Sequence, residues 1–398
     1  MASKIAIVSA LPPSKVTLNE YGYHLVKAFH QVSDDVEVLT FADRVAVDEG
    51  FAEEFSGVER VWSFNSVTTP IKILLSAIKH RPDYILFNAH MASFGTNELS
   101  AGSGLATPFL LRLFGFKTAV ILHNVLDGID LDKSSIESPL RKRIIRFGNK
   151  LISKLLLKAS YLTVTLADYK SKLSQHGSAE HVYHVPHGLF DNVSTDVKPL
   201  VERRRSFITF GKFGTYKRLD NLLCAFKELK EEAGYEDVEL HIGGSNHQNA
   251  PGYIEAILQN YETVSDVHFH GYVAEEDLSA FWASGFCCVF DYSTTTGSSG
   301  VLSQIMTYGL LPLFPDIDDF KLLMEEEGVN GAHFVANNIQ DLKRQMYEIL
   351  DHPARFQKIV DKNTSILTND TLHINDIARK HLELMLPGSA KKLALESA

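Results

Sequence analysis

Apolar positions in this chain come in short bursts. Runs rich in β-branched and aromatic residues alternate with stretches whose apolar residues recur every three to four positions, and that alternation predicts parallel βαβ units. In the first half the pattern predicts strands over residues 5–9, 36–39, 84–87, 119–122, 162–165 and 182–185, with helices between them, among these 21–29, 71–78 and 105–113. Periodicity lapses over "GLFDNVSTDVKPLVERRRS" (residues 188–206), which reads as a linker. A second series follows, with strands over 207–211, 238–244, 267–273 and 285–292 and in the run "LLPLFP". Its helices fall near 220–232, 276–283, 319–327 and 339–350. There is no internal repeat and no low-complexity tract. The expected architecture is α/β, with two doubly wound Rossmann-like domains facing a central cleft. Residues 1–188 form the first domain, 189–206 the linker and 207–365 the second. A C-terminal helix over 366–388 packs back on the first domain, and 389–398 is a frayed tail.

At 398 residues the chain is too long for one ordinary core, which agrees with two domains. The formal net charge of -10 argues against nucleic acid as a partner, so any anion site must be local. Cys224, Cys287 and Cys288 make no disulfide framework, and the adjacent pair lies in an apolar run, as expected for reduced thiols in the cytoplasm. The opening "MASKIAIVSALPP" is a poor signal peptide. No window approaches the roughly 18 apolar residues of a membrane span.

The candidate chemistry lies in four turns at the carboxyl ends of second-half strands, the edge where open α/β sheets bind ligands. In "FGKFGTYKRLDNLL", Gly211 and Gly214 permit close backbone approach, while Lys212, Lys217 and Arg218 supply cations beside a helix start. The spacing is neither that of a P-loop nor the dinucleotide fingerprint. The other turns hold Gly243 and Gly244; Gly271, Tyr272 and Val273; and "TTTGSSG", with Thr296, Ser298, Ser299 and Gly300 ahead of a helix containing Gln304. Glycines, hydroxyls and lysines on one edge suit a diphosphate.

The ordered segments "FGKFGTYKRLDNLLCAF", "VELHIGG", "VHFHGYVAEEDLSAFWASGFCCVF", "GSSGVLSQIMTYGLLPLF" and "EEEGVNGAHFVANNIQDLKRQMYEIL" resemble the family-four retaining glycosyltransferases of the GT-B fold. The resemblance implies transfer of a sugar from a nucleoside-diphosphate sugar, its co-substrate, to an acceptor hydroxyl, with no metal or other cofactor. It places the diphosphate on Lys212 and Lys217 and the base beside Gly271, Tyr272 and Val273. The family's paired glutamates fall on Thr296 and Gln304, of which only Gln304 can still accept a hydrogen bond from ribose. His123 corresponds to a histidine near the donor sugar. The departing phosphate can take the acceptor proton, so a carboxylate base is not required.

His90, His123 and His187 each follow a strand, while Asn19 and Glu20 fall in the loop after the first one, on the acceptor side. "PLRKRIIRFGNKLISKLLLK" (139–158) carries seven basic residues and no acidic one. Two readings stand: a packed helix with a solvated polar side, or a patch from Arg141 to Lys158 that docks on an anionic membrane. The second suits a glycan or lipid-linked acceptor and a place on the inner membrane face. A rival reading is a catalytically inactive GT-B binding or regulatory subunit, which Thr296 and Gln304 favour. A nicotinamide oxidoreductase would need the missing glycine fingerprint.

Overall fold

Central strands of a parallel sheet are buried on both faces and read as unbroken apolar runs. β1 (Ser3–Ser9), β2 (Val36–Asp43), β3 (Val58–Trp62), β4 (Tyr84–Ala89), β5 (Thr118–Leu122), β6 (Tyr161–Val164) and β7 (Val182–His184) form one such sheet. A second contains β8 (Ser206–Phe213), β9 (Glu239–Asn246), β10 (Val267–Gly271), β11 (Cys287–Val289), β12 (Leu311–Pro315) and β13 (Ala332–Phe334). The computed structural model describes residues 3–32, 35–46, 52–125, 138–190, 197–247, 249–294, 299–369 and 373–387. They divide into two units, one with the described residues up to Gly188 and the helix Ile374–Met385, the other with the remainder from Leu189 to Asn369.

In the first unit the strand order is β3-β2-β1-β4-β5-β6-β7, and every pairing is parallel. The order reverses between β1 and β4, so the loops leaving these two strands diverge and open a crevice at the sheet's carboxyl edge. The helix Asn19–Val32 closes on the end of β1 through Gly22, where a Cβ would stand 2.0 Å from Ser9 Oγ. The helix Ile374–Met385 packs on Asn19–Val32, and its buried His381 Nδ1 lies 3.2 Å from the Tyr161 hydroxyl. The second unit repeats the logic with the order β10-β9-β8-β11-β12-β13, reversing between β8 and β11. Phe207, Leu240 and Ile242 pack with Leu222 and Phe226 of the helix Asp220–Lys230 and with Leu342 and Met346 of Ile339–Asp351.

Departures from the expected elements have local causes. The helix expected over 105–113 is two helices, Glu98–Leu105 and Thr107–Leu113. Pro108 lacks the N–H that would bond the carbonyl of Gly104. Strand β3 was not anticipated because Glu59 and Arg60 interrupt its apolar pattern. Both are paired, Glu59 with Lys79 and His80, and Arg60 with Glu53. β13 has three residues, too few for a pattern. The helix Pro353–Asn369 also escaped the reading. Within the expected linker, 191–196 lie outside the described residues and Leu200–Glu202 form a 3-10 turn. The tail 389–398 is likewise outside them.

β8 and β9 converge at their carboxyl ends because both carry glycine. Gly244 has φ of +132°, and a Cβ there would sit 1.9 Å from the Gly211 carbonyl oxygen. We expect Gly244→Ala to lower stability by about 3 kcal/mol or more. Gly115→Ala, at φ of +85° with nothing within 4 Å, should cost only about 1 kcal/mol. Urea midpoints of the two variants measure the contrast.

Candidate active site

The second unit gathers its cations at the β8/β11 reversal. After β8 the chain turns through 214–219, and the residues leaving β11 hold that turn. Arg218 N donates to the Asp291 carbonyl (2.9 Å), Ser293 N donates to the Tyr216 carbonyl (2.8 Å), and Lys217 bridges to Tyr292. The Lys217 ammonium lies 4.8 Å from the centre of the Tyr292 ring. It also hangs beside Gly211, where a Cβ would approach Nζ to 3.1 Å. Burial pushes the Lys217 pKa down to about 8; Cys288 opposes the shift and the charge on Lys212 adds to it. Lys212 is exposed. Burial lowers the His247 pKa, and the charges on Lys212 and Lys217 lower it further, so three basic side chains share this edge.

The helix Asp220–Lys230 starts here, but its first amides are already used. Buried Asp291 accepts from Asn221 N (3.0 Å), Leu222 N (3.2 Å) and Asn221 Nδ2 (2.9 Å). The expectation that this helix start would receive a ligand anion is therefore corrected: a carboxylate of the chain itself takes its partial positive charge. Burial raises the Asp291 pKa, and the three hydrogen bonds oppose the rise.

The other expected anion cradle begins the helix Gly300–Thr307. Ser299 caps it, its hydroxyl accepting from Leu302 N at 3.3 Å. Gly300 and Gln304 are half-buried, whereas Thr296 and Ser298 lie outside the described residues. Gly243 leaves room for aromatic rings, since a Cβ would meet Phe281 at 2.7 Å and Phe210 at 2.9 Å. Gly214 similarly leaves room for Ala250 and Tyr253. Gly271 ends β10 at φ of +66°, followed by exposed Tyr272 and half-buried Val273.

The first unit has a hydrogen-bond chain at its own reversal. Asn88 Nδ2 donates to Ser9 Oγ (3.0 Å) and to the Leu18 carbonyl (3.4 Å). Its amide is thereby oriented, and Oδ1 is left to accept from His123 Nε2 at 2.8 Å. With the proton on Nε2, Nδ1 of a neutral His123 is a lone-pair acceptor. Burial holds the His123 pKa well below the ordinary histidine value, with His187 and His90 adding smaller contributions. Nδ1 is buried without a hydrogen-bond partner among the described residues. Tyr21 packs edge-on against both His123 and His187, with ring centres at 4.4 and 4.7 Å. His90 Nδ1 accepts from Ala92 N at 3.1 Å, and burial lowers the His90 and His187 pKa values to about 4. Asn19 and Glu20, expected in a loop, are the first residues of the helix Asn19–Val32.

Sequence reading brought forward the lysines and His123 but missed Asn88 and Asp291. Each is a polar residue at the end of an otherwise apolar strand run, "YILFNA" and "CCVFDY", and that interruption was the available signal.

Residues 193–365 match the family described as Glycosyl transferases group 1. Over that stretch, a little under half of its length, the chain is similar to the group 1 glycosyltransferases. On that match it is a retaining glycosyltransferase that takes its sugar from a nucleotide-sugar donor. No curated protein matches this glycosyltransferase in sequence. Among solved structures it is similar to sucrose-phosphate synthase from Thermosynechococcus elongatus, at a TM-score of 0.72 and 15% identity with both chains covered completely. Anabaena Alr3699/HepE in complex with UDP-glucose gives 0.67 at 15% identity, covering 96% of this chain and 99% of that one. WaaG, a glycosyltransferase involved in lipopolysaccharide biosynthesis, gives 0.67 at 13%, covering 96% and 100%. Likeness at such identities speaks for the fold, which is GT-B.

Lys217 gives a signed prediction. Its pKa in the folded glycosyltransferase is about 8, against 10.5 when exposed, so burying the ammonium costs stability below pH 8. Between these values the unfolded state binds more protons, and the cost is relieved as pH rises. We expect Lys217→Met to be more stable than wild type at pH 7 by roughly 1–3 kcal/mol. That advantage should shrink at pH 9.5, as read from urea midpoints at the two pH values.

Proposed function

We propose that this glycosyltransferase takes its sugar from a uridine diphosphate donor and passes it to a hydroxyl of a glycan or lipid-linked acceptor at a membrane surface. The observation that carries the reading is Lys217, a half-buried cation with a lowered pKa beside glycine backbone at the β8/β11 reversal, with Lys212 on the same edge. A protein keeps a destabilised ammonium in such a place when a ligand supplies the missing negative charge. Uridine is proposed because Alr3699/HepE, of the same fold, was crystallised with UDP and with UDP-glucose.

Lys212 and Lys217 stabilise the leaving diphosphate, with the Ser299–Gly300 helix start adding backbone donors. Ser298 and Thr296 join them on the expectation from sequence. Gln304 accepts a ribose hydroxyl, while the Gly271–Val273 turn meets the base. His123 Nδ1 accepts from a hydroxyl of the transferred sugar, and Asn19, Glu20 and His90 belong to the acceptor side. The bond from the anomeric carbon to the phosphate oxygen breaks and the bond to the acceptor oxygen forms on the same face. The acceptor proton leaves on the departing phosphate.

The membrane part rests on exposed apolar side chains. In the helix Pro139–Leu156, Leu140, Ile144 and Phe147 are 68%, 61% and 70% exposed, beside Arg141, Arg143 and Arg146. Ile71 and Leu75 of the helix Thr69–His80 are exposed as well. No helix among the described residues is long and apolar enough to cross a membrane. A surface mixing basic and apolar groups suits peripheral docking, where each cation contributes about 1 kcal/mol on an anionic surface.

Calorimetric titration with UDP, GDP, ADP and TDP tests the donor. We expect saturable binding of UDP alone, at least tenfold weaker in Lys217→Ala, and weakening in wild type as pH rises through 8 because the free ammonium is lost. Sugar transfer from the matching donor then separates an enzyme from a binding subunit. For docking, we expect flotation with anionic liposomes that disappears when Arg141, Lys142, Arg143 and Arg146 are changed to Ser; unchanged flotation refutes it.

A further inference from the structure

The amino-terminal half of β9 and the edge strand β10 carry a cluster that sugar transfer does not use. Glu239 and His241 are two apart on β9 and share a face; His268 and His270 share the same face of β10, where His268 stands opposite His241. The opposite face, with Leu240 and Ile242, is in the core. His241 Nε2 lies 3.1 Å from Glu239 Oε2, and His268 Nε2 lies 3.9 Å from Glu239 Oε1. One donor atom from each of the three falls within 4.8 Å of the others.

We propose that Glu239, His241 and His268 form a binding site for a divalent transition-metal ion, with zinc the ion that fits best. Two imidazoles and a carboxylate are a donor set zinc uses when one coordination position stays open. Tetrahedral zinc with bonds of about 2.0–2.1 Å sets its donor atoms about 3.3 Å apart, so the 3.1 Å pair already has the required spacing. The His268 side chain, 46% exposed, closes the remaining gap by a rotamer adjustment and leaves the open position toward solvent.

The surrounding groups are those a metal site needs. His241 Nδ1 lies 2.9 Å from His270 Nε2, so His241 can donate from Nδ1 and present its Nε2 lone pair to the ion. Arg204 is hydrogen-bonded to Glu239 Oε1, which leaves Oε2 for the metal and keeps the carboxylate oriented. The cluster stops at His241, three residues and about 10 Å along β9 from Gly244, which pairs with the Gly211 that flanks Lys217. It is thus separate from the cations at the other end of the strand. An ion there would tie β10 to β9 and stiffen the strand that ends in the Gly271–Val273 turn.

The test uses the full chain, stripped with a chelator and titrated calorimetrically with zinc chloride. We expect one equivalent bound with Kd in the micromolar range or tighter, and a higher thermal midpoint with zinc. His268→Ala, an exposed position, should bind at least tenfold more weakly and show no midpoint shift, whereas His352→Ala should behave as wild type. Absence of saturable binding, or equal binding by wild type and His268→Ala, overturns the proposal. Neither result bears on UDP binding, which is read separately.

Discussion

One buried carboxylate organises the second unit of this enzyme. Asp291, leaving β11, accepts two backbone amides and a side-chain amide from the start of the helix that follows β8. Its own carbonyl accepts from Arg218. The two strands that flank the reversal are thus joined through their loops as well as through the sheet, and Lys217 lies within the stretch so fixed. A flexible four-carbon side chain is ordinarily costly to immobilise. Here the Tyr292 ring and the bare backbone of Gly211 flank the side chain, which narrows its freedom in the folded state.

The first unit uses a neutral version of the same device. Asn88, at the end of β4, reaches back to Ser9 of β1 and forward to His123 after β5. Both polar residues sit at the point where the strand order reverses, where loops part and backbone groups would otherwise lack partners. The difference between them suits their neighbours. A carboxylate answers helix amides and nearby cations, while an amide can donate one way and accept the other, which sets a histidine tautomer without adding charge.

The fold was legible because strands such as β4 and β12 are buried on both faces and must be apolar throughout. Edge elements were not: β3 tolerates Glu59 and Arg60 because one of its sides faces solvent. The glycine turns and lysines could also be read, since close backbone approach and positive charge are visible as residue types. The ties that position them could not, because Asn221 and Asp291 are 70 residues apart and nothing local encodes their pairing. The basic helix shows the opposite difficulty. Its apolar stripe could equally describe a packed face, and only the exposure of Ile144 and Phe147 separates packing from presentation.

The cysteines have a practical consequence. Cys287 and Cys288 are sealed in β11, and burial holds both thiols protonated. Cys224, half-buried, lies on the helix that Asp291 holds at its start. Burial and the neighbouring Glu228 carboxylate raise the Cys224 pKa too, so alkylation there calls for alkaline pH, but it is the one cysteine whose side chain is not sealed in a strand. A fluorophore placed there would sit a single helical turn from the Asp291 tie, giving an optical report on the turn that carries Lys217 without any engineered cysteine.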